Sequence, residues 1–268
     1  EWKDDKNILN DVMRFLDNVL SDFINRAPEQ FSDATYAAEK ERSVGLGVMG
    51  FHSYLQKNQI PLESVMSKVW NKKIFKHIQE NVDQASKDLA EERGACPDAA
   101  EYGYKERFSN KTAIAPTASI SIICGGTSAG VEPISGNSYT HKTLSGSFNV
   151  KNKYLTKVLE KYKKNNEEIW SSITTNQGSV SHLDFLTDLE KDVFKTAFEL
   201  DQKWIIELSG DRTPYISQAQ SINLFVPADI HKRELHKIHF DAWKKGLKSL
   251  YYCRSKSIQR AENVNDTK

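Results

Sequence analysis

The feature that most constrains this chain is a rhythm. Long segments with apolar residues at helical spacing alternate with short apolar runs stopped by glycine or proline. Ile8, Leu9, Val12, Met13, Phe15, Leu16, Val19, Leu20, Phe23 and Ile24 recur at three- and four-residue steps, so a helix is predicted close to the start, with Pro28 just beyond it. Val69, Ile74, Phe75, Ile78, Val82, Ala85 and Leu89 predict another over 65–93, stopped by Gly94 and Pro97. Further helices are predicted from His52, over 154–162, over 188–208 and over 228–246. Residues 42–51, 111–116, 221–226 and 247–252 read as strands, and 117–124 as the opening of a helix that Gly125 and Gly126 end. Residues 29–40 read as a linker and 163–168 as a loop. Parallel strands need crossovers long enough to hold a helix, so this alternation predicts an α/β fold with largely parallel strands. Four strands are few for a closed barrel, and residue 1 is Glu, so part of a larger whole is expected.

Composition narrows the function classes. Of 268 residues 38% are hydrophobic, enough for a sizeable core and too many for a disordered chain. Lys plus Arg number 37 and Asp plus Glu 36, a net charge of +1. A dedicated nucleic-acid binder would carry a basic excess. No apolar run approaches the roughly 18–20 residues that cross a bilayer, and no signal peptide is visible. Cys96, Cys124 and Cys253 form neither a zinc spacing nor a disulfide framework, so the reducing cytoplasm is the expected compartment.

Several local patterns carry possible chemistry. Gly45, Gly47 and Gly50 spell the dinucleotide-binding G-x-G-x-x-G, but the strand before them is short and no acidic residue ends a βαβ unit; glycines packing a strand on its helix explain them better. Gly125 to Gly130 have the spacing of a phosphate-binding P-loop, with Val131 where the lysine must stand. His231, His236 and His239 could share a helix face, yet no Cys, Asp or Glu completes a ligand set, which favours solvated or locally bonded histidines. In APTASIS (115–121) a strand ends at Pro116 and small hydroxyl residues follow. Unpaired amides at a helix start, with Thr117, Ser119 and Ser121 hydroxyls, could cradle a phosphate or diphosphate; ordinary capping explains the same residues. Tyr251 and Tyr252 are adjacent in a predicted strand, which would send their rings to opposite faces.

Five stretches together resemble the large, catalytic subunit of class I ribonucleotide reductase: RSVGLGVMGFHSYLQ (42–56), LAEERGACP (89–97), AIAPTASISIICGGTSAGVEP (113–133), DVFKTAFELDQKWIIELSGDRTPYISQAQSINLF (192–225) and FDAWKKGLKSLYYCRS (240–255). In that family the catalytic domain is a ten-stranded α/β barrel of two parallel halves. The resemblance implies that residues 1–253 form its C-terminal half and 254–268 a polar tail. It implies reduction of ribonucleoside diphosphates to deoxyribonucleoside diphosphates by radical chemistry. Pro116, Thr117, Ala118, Ser119 and Ile120 match the family's substrate-diphosphate site. Tyr251 and Tyr252 match a stacked pair that relays a radical, a pair that cobalamin-dependent and glycyl-radical relatives do not need.

The family's ATP-binding cone, specificity-site loops, finger-loop cysteine with its Asn and Glu, and redox-active cysteine pair have no counterpart here. The resemblance therefore implies no turnover by this chain alone. Its implied partners are a polypeptide carrying the N-terminal half, a small radical-generating subunit that holds the metal-radical cofactor, and a thioredoxin or glutaredoxin system. Nucleotide effectors are expected to bind elsewhere, and this chain to hold no cofactor. Cys253 is expected to be a small buried hydrophobe. The alternative is a non-catalytic phosphate-binding or assembly module derived from the barrel.

Overall fold

The computed structural model describes residue 5 and residues 7–143 and 146–256. It is helix-rich, with short strands. In chain order the elements are α1 (Ile8–Arg26), α2 (Ser32–Glu41), α3 (Phe51–Lys57), α4 (Val65–Arg93), α5 (Pro97–Glu101), α6 (Ile120–Ile123), β1 (Ser138–Thr143), β2 (Gly146–Lys151), α7 (Lys153–Lys161), α8 (Glu167–Thr175), α9 (Asp188–Val193), α10 (Gln202–Arg212), β3 (Leu224–Pro227), α11 (Lys232–Lys244) and β4 (Cys253–Lys256). The chain divides into two compact units. One takes in the chain up to Gly47, Trp70–Ala115 and Asp211–Gln220; the other takes in Val48–Val69, Pro116–Gly210 and the chain from Ser221.

In the first unit α1 forms as its spacing predicts, but its apolar face is only partly used. Met13 is fully buried, whereas Val12, Phe15, Val19 and Phe23 are exposed. The predicted linker over 29–40 is instead a 3₁₀ turn and α2. Alanines and long polar residues favour helix there, yet no α2 residue is fully buried, so no apolar period announced it. Of the predicted strands at 42–51 and 111–116 only single parallel bridges form, Leu46 to Thr112 between the two and Ile114 to Gln220, and Phe51 already opens α3. Gly47 lies against the Ala113 carbonyl so closely that a Cβ would collide with it. That close approach, not a dinucleotide, accounts for the glycine there.

In the second unit α7, α8 and α9 enclose an apolar cluster of Leu155, Leu159, Trp170, Ile173, Val193 and Phe194. The single helix predicted over 188–208 is broken between α9 and α10. The Ala197 amide donates to Ile134 O at 2.8 Å and the Thr196 amide to the Glu199 carboxylate at 2.8 Å, so these groups leave the helical ladder while Phe194 and Ala197 enter the core. An antiparallel hairpin, β1 with β2, interrupts the expected parallel scheme. Its SYTHKT strand lacks the apolar alternation that would have revealed it.

β3 and β4 pair in parallel, Leu224 opposite Cys253. The predicted strand at 247–252 is therefore displaced toward the C-terminus. Cys253 is exposed, contrary to expectation, because β4 has β3 as its one partner strand among the described residues and residues 251–255 all face solvent. The observed parallel pairs and intervening helices make an α/β arrangement, with no closed barrel among the described residues.

One charge cluster ties the first unit together. Asp17 is fully buried in α1. Its Oδ1 accepts from Arg42 Nη2 at 2.7 Å and Arg107 Nε at 2.8 Å, and its Oδ2 from Arg93 Nη1 at 2.8 Å. Burial alone would raise the carboxyl pKa, but hydrogen bonds from Arg107, Arg93 and Arg42 outweigh it and hold it below the ordinary value. Asp17 thus adds stability above the unfolded carboxyl pKa and loses it as pH falls through the folded one. Replacing Asp17 by Ala takes its carboxylate away from the buried Arg42 and the partly buried Arg107, while Arg93 keeps Glu92, and a loss of about 3–5 kcal/mol is expected in urea unfolding near neutral pH. A loss under about 1 kcal/mol would show that the arginines are held by other partners.

Candidate functional site

The residues predicted as a phosphate cradle form a bared backbone corner. Thr117 adopts a left-handed conformation, φ 51°, which a β-branched side chain rarely does. Its Oγ1 accepts from the Gly130 amide at 2.7 Å, which holds the turn. After that turn α6 is a single helical turn, so a helix dipole contributes little. The donors matter more: the amides of Ala118, Ser119 and Ile120 meet no backbone acceptor among the described residues. Ser119 is the N-cap residue but makes no capping bond, and it is exposed. Ordinary capping therefore does not account for its hydroxyl. Ser121 instead is buried and donates to Ala118 O at 3.3 Å.

The next residues dock onto α3. A helix start leaves its first amides without intrahelical acceptors. Here Gly50 N donates to Ser128 O at 2.7 Å, Phe51 N to Gly130 O at 3.3 Å and Ser53 N to Ser128 Oγ at 3.1 Å. Ser53 Oγ returns the favour by accepting from Ser128 N at 2.8 Å. His52 Nδ1 accepts from Ile134 N at 3.0 Å. Burial pushes the His52 pKa down to about 4, so the imidazole is the neutral acceptor this bond requires.

Tyr251 and Tyr252 come together as well. Their ring centroids lie 4.2 Å apart with planes tilted by 54°, and a hydrogen bond to Tyr252 raises the Tyr251 phenol pKa. The expected opposite orientation fails because regular pairing begins only at Cys253, so the alternation of a strand does not govern the pair. Residues 222–224 grip this stretch. Tyr251 N donates to Ile222 O at 2.8 Å, Leu224 N to Tyr252 O at 2.9 Å, and Tyr252 N to Asn223 Oδ1 at 3.1 Å. Both rings remain about half exposed.

Other motifs resolve locally. His231 caps α11 by accepting from Arg233 N at 3.2 Å, His236 stacks on Phe240, and His239 bonds Leu235 O. No group of three His, Cys, Asp or Glu suited to a metal occurs among the described residues. No helix among them is long and apolar enough to cross a membrane. Sequence reasoning missed Ser53, Ser128, His52, Glu132 and Asn223, whose partners are distant in sequence and leave no spacing pattern.

The family model for the ribonucleotide reductase barrel domain matches residues 1–106 and 97–253. The chain is 48% identical to the ribonucleoside-diphosphate reductase large subunit of Invertebrate iridescent virus 6, over 99% of this chain and 28% of that protein. It is 44% identical to the large subunit of Invertebrate iridescent virus 3, over 100% of this chain and 42% of the relative. Among solved structures, the class Id ribonucleotide reductase alpha subunit of Actinobacillus ureae superposes with a TM-score of 0.88 at 39% identity, covering all of this chain and 49% of that one. The chain thus spans less than half of each of these relatives.

His52 makes stability pH-dependent. Above about pH 6.5 it is neutral whether the chain is folded or not. Below that the unfolded chain takes up the proton first, so stability falls until the folded pKa of about 4 is passed, a total of roughly 3 kcal/mol. His52→Asn keeps an acceptor for Ile134 but cannot titrate. Its urea midpoint is expected to fall less between pH 6.5 and 4 than that of the wild type. Equal slopes would mean that His52 is not held neutral.

Proposed function

Because the chain belongs to the ribonucleotide reductase barrel-domain family, we propose that it is part of a class I ribonucleoside-diphosphate reductase large subunit. The complete enzyme reduces ribonucleoside diphosphates to deoxyribonucleoside diphosphates for DNA synthesis. In this proposal residues 1–253 are the C-terminal half of the catalytic barrel, and 254–268 a tail beyond it. A polypeptide with the N-terminal half completes the barrel and brings the active-site cysteine. A thioredoxin or glutaredoxin system re-reduces the enzyme, and the assembly works in the cytoplasm.

The observation that carries the proposal is the tyrosine pair, with rings 4.2 Å apart and phenols hydrogen-bonded. The metal-radical cofactor expected in the small subunit would supply the oxidising equivalent. Tyr252 gives up one electron and its phenol proton toward that subunit and regains both from Tyr251. Tyr251 in turn regains them from the cysteine thiol of the other half. The bond between the phenols gives the proton a short path while the electron crosses between neighbouring rings. At the cradle, Pro116 and Thr117 turn the chain so that the amides of Ala118, Ser119 and Ile120, with the Ser119 hydroxyl, can receive the substrate diphosphate.

Tyr251→Phe and Tyr252→Phe test the relay. Each removes one oxygen and keeps the ring, so a packing role would cost about 1 kcal/mol. A relay fails altogether, since phenylalanine has no phenol proton to release. Turnover of the enzyme reassembled with its N-terminal half and small subunit is expected to fall to background in each variant, with nucleotide binding intact. Substantial residual turnover in either would remove that tyrosine from the relay. Ser119→Ala is expected to weaken diphosphate binding by roughly tenfold, one charge-assisted hydrogen bond of about 1.5–3 kcal/mol. An unchanged KM would place the phosphates elsewhere.

A further inference from the structure

A carboxylate stands behind the tyrosine pair. Glu132 closes the segment that begins with the cradle, its amide donating to Ala129 O at 2.9 Å between buried Val131 and Pro133. Its Oε2 accepts a hydrogen bond from Asn223 Nδ2. Asn223 is 3% exposed, and its other side-chain atom, Oδ1, accepts from the Tyr252 amide. These two bonds fix which way the amide group points. An amide turned over would set its NH2 against the Tyr252 N–H and its oxygen against the carboxylate. Glu132 also attracts Arg254, whose guanidinium lies 5.7 Å from the centre of the Tyr252 ring. Burial pushes the Glu132 carboxyl pKa up, against the pull of Asn223 and Arg254.

We propose that Glu132 is a positioning residue for the tyrosine pair: through Asn223 it holds the Tyr252 backbone, and through its charge it balances Arg254 beside the Tyr252 ring. The proposal rests on the relay function assigned above to the pair. Two physical effects follow. Without the carboxylate, Asn223 is free to turn and Tyr252 loses a backbone tether, so the ring-to-ring geometry loosens. Without the Glu132 charge, the guanidinium beside the ring also makes removal of an electron from Tyr252 harder. Neither effect touches the cradle amides, which lie earlier in the same segment and bond to nothing in this cluster. The carboxylate thus acts on electron transfer and not on substrate binding.

The test uses the assembled reductase with Glu132→Ala and Glu132→Gln, the ring resonances of Tyr251 and Tyr252 being assigned by their phenylalanine variants. Glu132→Gln keeps an acceptor for Asn223 and removes only the charge, and it stands in if the alanine variant fails to fold. In Glu132→Ala, kcat is expected to fall about tenfold or more, with the KM for the diphosphate unchanged and both tyrosine signals displaced. In Glu132→Gln the signals stay near their wild-type positions while kcat falls by a smaller factor. Wild-type kcat in the variants, or a KM that rises as kcat falls, overturns the proposal. The tyrosine signals separate its failure from that of the relay. If the phenylalanine variants turn over substrate, the relay is wrong, yet displaced signals in Glu132→Ala still show that Glu132 holds the pair. Undisplaced signals in that variant overturn the positioning role whatever the relay does.

Discussion

The second unit depends on how the first turn of α3 finds acceptors for its amides. An unpaired buried amide costs about 1–3 kcal/mol, and a helix start presents several at once. Ser128 and Gly130 supply the acceptors, with Ser53 and Ser128 exchanging bonds in both directions. Once this segment is fixed, Gly130 is fixed, and its amide holds the Thr117 hydroxyl. The strained Thr117 turn that bares the cradle amides is thus maintained from α3.

A second set of buried polar groups extends the same logic. Asn152 Nδ2 bonds Asn137 Oδ1 at 2.8 Å and Gln56 Oε1 at 3.0 Å, while Asn137 Nδ2 reaches Gly178 O and Phe194 O. These side chains join α3, both ends of the hairpin, the start of α7 and the end of α9. Apolar packing alone is tolerant of small shifts, since dispersion and burial have no direction. Hydrogen bonds at fixed distances are not, and they set the register in which the apolar cluster around Trp170 and Phe194 closes. The same unit then places Glu132 on one side of Asn223 and Tyr252 on the other.

The two candidate functional elements use different chemistry for this reason. The cradle relies on backbone amides, which substitution of side chains scarcely alters, so its accuracy comes from the turn at Thr117. The tyrosine pair relies on side chains whose rings are half exposed, so its geometry is set from behind, by Ile222, Asn223 and Leu224. Cys253 faces solvent beside the pair because β4 begins where the tyrosines end.

Much of this was legible in the chain itself. Long periodic segments gave α1, α4, α7 and α11, because a helix face that meets a core repeats every 3.6 residues. The small residues of APTASIS marked where the backbone is bared, whereas strand alternation set Tyr251 and Tyr252 on opposite faces and only the family resemblance implied a pair. Tertiary structure decided the rest. α2 has no fully buried residue and so no period. The break between α9 and α10 arises because Ala197 bonds Ile134, and the first strand of the hairpin carries no apolar alternation. That the tyrosines lie ring to ring depends on where pairing with β3 starts. The partnership of Glu132 with Asn223, like that of Ser53 with Ser128, joins residues far apart in sequence. Such contacts follow from the folded path of the chain, and no local pattern of residues encodes them.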